Sequence, residues 1–227
     1  FGSCNREWSG AYIERIQDIV LNINPLNVVT DAQAAGLNVD KPEDFINHAH
    51  KYVFIEKLMK KYARSASMYS AMSGMGGGVG GVGTMVTLGG VDIANMAAQL
   101  YRLNQKLAIL NGFDLNNSLQ QDRAWEIYLI AMGFDAATQT VIKAQLVKAA
   151  NIAGKSGAYK NSVIKLIIEV SKKLGMKQLS SKAAAKYIPF VGGVAGASLN
   201  YGFTQIAAKK MINEYKTDYF DRWQAKQ

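Results

Sequence analysis

The chain has a single cysteine, Cys4, so it can hold no internal disulfide and no cysteine-rich metal site. It has two histidines, His48 and His50. Two positions apart on a helix, they would face opposite sides and could not grip one ion together. No metal and no cofactor is therefore expected. The three prolines, Pro25, Pro42 and Pro189, leave long stretches free for helices. No segment shows sustained period-two alternation of β-branched residues, which argues against sheet. Charge is missing altogether from Ser65 to Val91. That run is long enough to cross a bilayer. It is too poor in large apolar side chains to read as a permanent span, since Leu88 is its one leucine and it has no isoleucine or phenylalanine.

What fills the gap is glycine. MSGMGGGVGGVGTMVTLGGVDIANMAAQL begins at Met72, and a second uncharged block, YIPFVGGVAGASLNYGFTQIAA, runs from Tyr187 to Ala208. Each glycine inside a solvated helix costs roughly 1 kcal/mol relative to alanine. Gly74–Gly83 therefore reads either as a loop feeding a helix near Thr84 or as a close backbone packing surface, the loop being favoured. Gly76 and Gly80, and likewise Gly192 and Gly196, have the spacing that puts two small residues on one helix face. Close packing is favoured for the second pair.

The helical periodicity predicts an all-α fold of about seven or eight helices, with the two glycine-rich apolar elements packed in its core. Ser9 starts a helix carrying Ile16, Ile19 and Val20, which ends before Pro25. A polar, loosely patterned stretch follows to Asp40. Asp40 and Pro42 then read as the start of one long helix reaching Met72, with Phe45, Tyr52, Met59, Ala63 and Ala66 at core spacing. The next helix ends at Asn111-Gly112, and others run from Ser118 to Gly133, from Asp135 to Gly154, and to Gly175. The last spans Val191 to Trp223. The expected division is residues 1–40 as an N-terminal helix and connector, and residues 41–227 as a helical domain.

Catalytic signatures are weak. Gly76-x-Gly78-x-x-Gly81 fits a dinucleotide fingerprint by chance, because a basic helix and not a strand precedes it. Gly154-Lys155-Ser156 lacks the first glycine of a phosphate loop, and Ser162-x-x-Lys165 is a common coincidence. Asp92, Asn95, Gln99, Arg102 and Lys106 form a polar stripe at steps of three and four. It reads first as a solvated or hydrogen-bonded face, and second as polar lining of a ligand cleft, with Asn200 in the late block as a further candidate. The second reading would allow a hydrolase working around Asp92. An enzyme is the less favoured class.

Net charge is +9. Such a balance draws acidic partners, either anionic lipid headgroups or nucleic acid. The basic residues are spread over several helices and match no nucleic-acid module, so nucleic acid ranks lower. Lys60, Lys61 and Arg64 precede the first uncharged run. Lys182 and Lys186 precede the second, and Lys209 and Lys210 follow it. Basic stems beside apolar segments can snorkel to headgroups, so these are candidate membrane-surface residues. The opening Phe-Gly-Ser-Cys is read either as an expression scar or as the remnant of a lipoprotein signal with Cys4 acylated.

GGGVGGVGTMVTLGGVDIANMAAQL followed by LAILNGFDL, together with YIPFVGGVAGASLNYGFTQIAAKKMINEY, resembles the EcsC family of bacterial proteins. The resemblance covers most of the chain from about Lys57 onward. The family takes its name from a protein associated with an ABC transporter. The resemblance thus implies a helical bacterial protein that works at a membrane, on its cytoplasmic side, with lipid or a membrane protein, a transporter included, as partner. It carries no catalytic residues across.

Overall fold

The computed structural model describes residues 10–74, 82–153, 163–174 and 194–224. Among these residues the regular structure is helical, with no strand. The helices are α1 (Gly10–Leu21), α2 (Pro25–Ala34), α3 (Tyr52–Gly74), α4 (Val82–Leu110), α5 (Ser118–Ala131), α6 (Ala136–Ala153), α7 (163–174) and α8 (Val194–Gln224). Two short 3-10 turns, Pro42–Asn47 and Ala49–Lys51, lead into α3. Of the glycine-rich elements, residues 75–81 and 175–193 lie outside the described residues, while Gly83 is in α4 and Gly196 in α8.

Two expectations need correction. The polar stretch after α1 contains a helix, α2. Pro25 both bars the continuation of α1 and starts α2 at its first turn, where a missing N–H costs nothing. Asn24 caps it, its Oδ1 accepting from the Leu26 N–H at 3.0 Å. The long helix does not begin at Pro42. The Asp44 carboxylate accepts from the Asp40 and Lys41 N–H groups at 2.9 and 3.1 Å, which tightens the chain into 3-10 turns before α3 opens at Tyr52. Those two bonds, the one to Asp40 first, hold the Asp44 pKa below its ordinary value. A smaller adjustment concerns α5. Its cap is Asn117, which accepts from Leu119 and Gln120, and Ser118 is the first helical residue.

The helix stops expected at Gly112 and Gly133 are found there, while Gly154 and Gly175 lie outside the described residues. At the end of α4 the Phe113 N–H bonds back to the Ala108 carbonyl and the Gly112 N–H to the Ile109 carbonyl, both at 3.0 Å. This is a Schellman closure. The same pair of bonds closes α5 at Gly133 and α2 at Gly36.

The chain divides into two compact units. One comprises Phe1–Asn22, Ser67–Gln99 and Ala144–Phe203. Its buried apolar side chains include Ile16, Ile19 and Val20 of α1, Met96 of α4, and Val163, Ile167, Val170 and Leu174 of α7. The other comprises Ile23–Ala66, Leu100–Lys143 and Thr204–Gln227. It buries Phe45, Ile55, Met59, Leu100, Leu107, Phe113, Tyr128, Tyr215 and Tyr219.

Polar pairs tie the second unit together. Tyr219 Oη donates to the Phe45 carbonyl at 2.6 Å, and Tyr215 Oη to Asn104 Oδ1 at 3.0 Å. Asn104 Nδ2 donates to the Ala124 carbonyl at 2.9 Å. Tyr52 Oη donates to Asn111 Oδ1 at 2.8 Å. Each hydroxyl sinks its ring into the core while its one polar atom is satisfied. Burial raises the Tyr215 and Tyr52 pKa values well above the ordinary phenol range.

Candidate functional site

Two groups of residues in the second unit stand out from this core. The first is the outer face of α3. Its residues 55, 58, 59, 62, 63 and 66 are buried, which fixes the opposite side toward solvent. That side carries Val53, Phe54, Lys57, Lys60, Lys61 and Arg64; farther along the same helix, in the first unit, Met68, Tyr69 and Met72 are exposed. Val53 is 55 % exposed and Met72 65 %. Lys57 Nζ lies 5.5 Å from the centre of the Phe54 ring. Among these cations Lys60 is paired, its Nζ 2.6 Å from Glu56 Oε1.

Glu56 also accepts from Lys216 Nζ of α8 at 2.8 Å. The bond from Lys216, then that from Lys60, lowers the Glu56 pKa below its ordinary 4.5. A carboxylate with a depressed folded pKa contributes stability that is present above its unfolded value and lost as pH falls through the folded one. Glu56→Gln is therefore expected to flatten the pH dependence of stability below pH 4.5. The effect should stay under about 1 kcal/mol at neutral pH, because the pair is partly solvated. Urea midpoints for both proteins across that range check it.

The second group draws its side chains from α2, α3 and α4. Tyr62 Oη donates to Asp31 Oδ2 at 2.5 Å. Lys106 Nζ sits 4.5 Å from the centre of the Tyr62 ring, in cation–π range. Arg102 precedes Lys106 by one turn of α4, and both are half-buried. Burial comes first in lowering the Lys106 pKa below 10.5, and the nearby positive charges of Arg102 and Lys61 add to it against the opposing pull of Asp31. Burial, then the bond to Asp31, pushes the Tyr62 hydroxyl up.

The polar stripe on α4 is thus no simple solvated face. Asn95 is buried, and its Oδ1 has no hydrogen-bond partner among the described residues. Gln99, Arg102 and Lys106 are half-buried. Asp92 belongs to α4, but its side chain lies outside the described residues. Asn200 of α8 is buried, and its Nδ2 makes a long contact of 3.5 Å to the Ser70 carbonyl. Lys209 and Lys210 of α8 are exposed, as are Lys60, Lys61 and Arg64 of α3. Lys182, Lys186, Gly76, Gly80, Gly192, Cys4, Ser162 and the Gly154-Lys155-Ser156 tripeptide fall outside the described residues.

The histidine argument changes with the backbone. His48 and His50 sit in the turns before α3 and not on an α-helix, and their rings stack with centroids 5.9 Å apart. His48 Nδ1 lies 2.9 Å from the Asp44 carbonyl oxygen. Among the described residues no group of three or more histidine, cysteine, aspartate or glutamate side chains could hold a metal ion.

Sequence reasoning missed Asp31 and Tyr62. Asp31 lay in the stretch taken for a connector, and the pair is 31 residues apart in the chain. The helical spacing of Pro25, Val28, Val29 and Ala32 was the signal that could have placed Asp31 on an element.

An α-helical protein with a basic, partly apolar face and a half-buried cation cluster is the class these features define. The model of the EcsC protein family matches residues 29–219, and the chain belongs to that family. Comparison with curated proteins found no match, and comparison with solved structures found none. Among the described residues no helix is long and apolar enough to cross a membrane.

Proposed function

We propose that this EcsC family protein is a membrane-associated helical protein that binds an anionic lipid surface through the exposed face of α3, on the cytoplasmic side of a bacterial membrane. The observation that carries the reading is the composition of that face. Lys57, Lys61 and Arg64 follow exposed Val53 and Phe54 along the helix. Aromatic and aliphatic side chains of this kind partition into the headgroup boundary, while the basic stems reach the phosphates. The basic border expected beside the first glycine-rich run is the part of the sequence argument that supports it.

Vesicle flotation tests the proposal. Each basic residue close to an anionic surface is worth about 1 kcal/mol. The triple variant K57Q/K61Q/R64Q is thus expected to lose about 100-fold in partitioning to anionic vesicles, with little change on neutral ones. Raising salt should weaken the parent in the same direction. If the parent fails to float with anionic vesicles at low salt, the lipid reading falls and a membrane protein partner replaces it.

A further inference from the structure

We propose that Lys106, over the face of Tyr62, forms with Arg102 and Lys61 a binding site for a phosphomonoester group. Three cations converge there from two helices. Asp31 is the carboxylate that faces them, and its Oδ2 already accepts from Tyr62 at 2.5 Å. Among the described residues neither Lys61 nor Arg102 has a carboxylate within ion-pairing distance. Lys61, Arg102 and Lys106 against Asp31 leave an excess of two positive charges.

Arg102 and Lys106 are half-buried beside exposed Lys61, and like charges held partly out of water are costly. A phosphomonoester carries about −1.5 to −2 at neutral pH, which matches the excess. The Arg102 fork suits two phosphate oxygens, and the lysines act as point charges beside it. The Tyr62 ring covers one side of Lys106, so an anion must approach from another. Burial and the neighbouring charges of Arg102 and Lys61 lower the Lys106 pKa, and a bound anion would raise it again. Binding should therefore strengthen as the ligand loses its second proton near pH ~6. It should weaken as pH rises through the Lys106 pKa, which lies below 10.5.

The group could be carried by a lipid headgroup or by a soluble molecule, and the inference leans on the membrane reading in the first case alone. Calorimetric titration with inorganic phosphate and with glycerol 3-phosphate tests the soluble source. Flotation with phosphatidic acid vesicles against phosphatidylglycerol vesicles of equal surface charge tests the lipid source. Arg102→Gln and Lys106→Met are each expected to weaken phosphomonoester binding about tenfold or more. Asp31→Asn keeps an acceptor for Tyr62, removes the opposing charge, and should tighten binding severalfold, a sign that misfolding cannot mimic.

Soluble binding without vesicle binding would keep the site and remove the membrane role. Equal flotation with both lipids, unchanged by R102Q and K106M but lost in K57Q/K61Q/R64Q, would keep the membrane role and overturn the site. No binding of any phosphomonoester by the parent overturns it as well.

Discussion

Arg123→Met is expected to lower folding stability by about 3 kcal/mol, among the largest losses for any charged side chain in this protein. Arg123 of α5 sets its guanidinium between two turns of α8. Nε donates to Asp218 Oδ2 at 2.8 Å and Nη2 to Asp218 Oδ1 at 2.9 Å, a two-point fork. Nη2 also donates to Glu214 Oε2 at 3.0 Å, and Nη1 lies 3.4 Å from Glu126 Oε2. The Asp218 side chain is 11 % exposed, so this is no loose surface pair. Methionine would keep most of the stem's packing and remove the charge. Asp218 would then lose its main counter-charge while buried, beside the more exposed Glu214 and Glu126, with Arg222 and Lys143 at 3.6 and 3.5 Å as weaker neighbours.

Urea denaturation of the two proteins at neutral pH measures the loss. A second measurement isolates its cause. Asp218→Asn added to Arg123→Met should recover part of the loss, giving a coupling energy of about 1–3 kcal/mol. A single-variant loss under about 1 kcal/mol would place the cluster among ordinary solvated pairs.

This cluster also marks how far the sequence could be read. Arg123 and Asp218 are 95 residues apart, and nothing in local spacing pairs them. The same holds for Tyr215 with Asn104 and for Tyr219 with the Phe45 carbonyl. Helix type and helix ends were legible because their causes are local: apolar spacing buries one face, and a glycine after the last turn closes it. The misreadings were local too. Pro25 was taken as an end and is also a beginning. Pro42 was taken as the start of the long helix, but Asp44 folds back on two N–H groups and delays the α-helix to Tyr52. Of the candidate site, the basic border at Lys60, Lys61 and Arg64 was visible as a charge run. Its relation to Tyr62 and Asp31 was not, because it depends on how α2 meets α3. The α4 stripe was found by period, but period alone does not distinguish a wet face from the half-buried one that Gln99, Arg102 and Lys106 form.

Gly112→Ala is the second large loss expected, about 2–4 kcal/mol, and Gly36→Ala is its control. Both glycines close a helix with the same two backbone bonds, and both have positive φ, +74° at Gly112 and +90° at Gly36. A Cβ in the left-handed region costs about 1–2 kcal/mol by itself. The surroundings separate the two. At Gly36 an added Cβ meets nothing within 4 Å. At Gly112 it would overlap Ile46 Cγ2 and come within 3.4 Å of the Ile46 backbone nitrogen. Ile46 is held in the 3-10 turn, and its carbonyl accepts from Tyr219 Oη at 3.2 Å. The branched side chain cannot swing away without disturbing that turn. Gly36→Ala should thus cost only the backbone term, and Gly112→Ala that term plus the displacement of Ile46. Combining Gly112→Ala with Ile46→Ala, which removes the overlapping methyl, should return part of the difference. Equal melting shifts for the two glycine variants would show that backbone strain alone governs these caps, and that α4 does not press on the turn preceding α3.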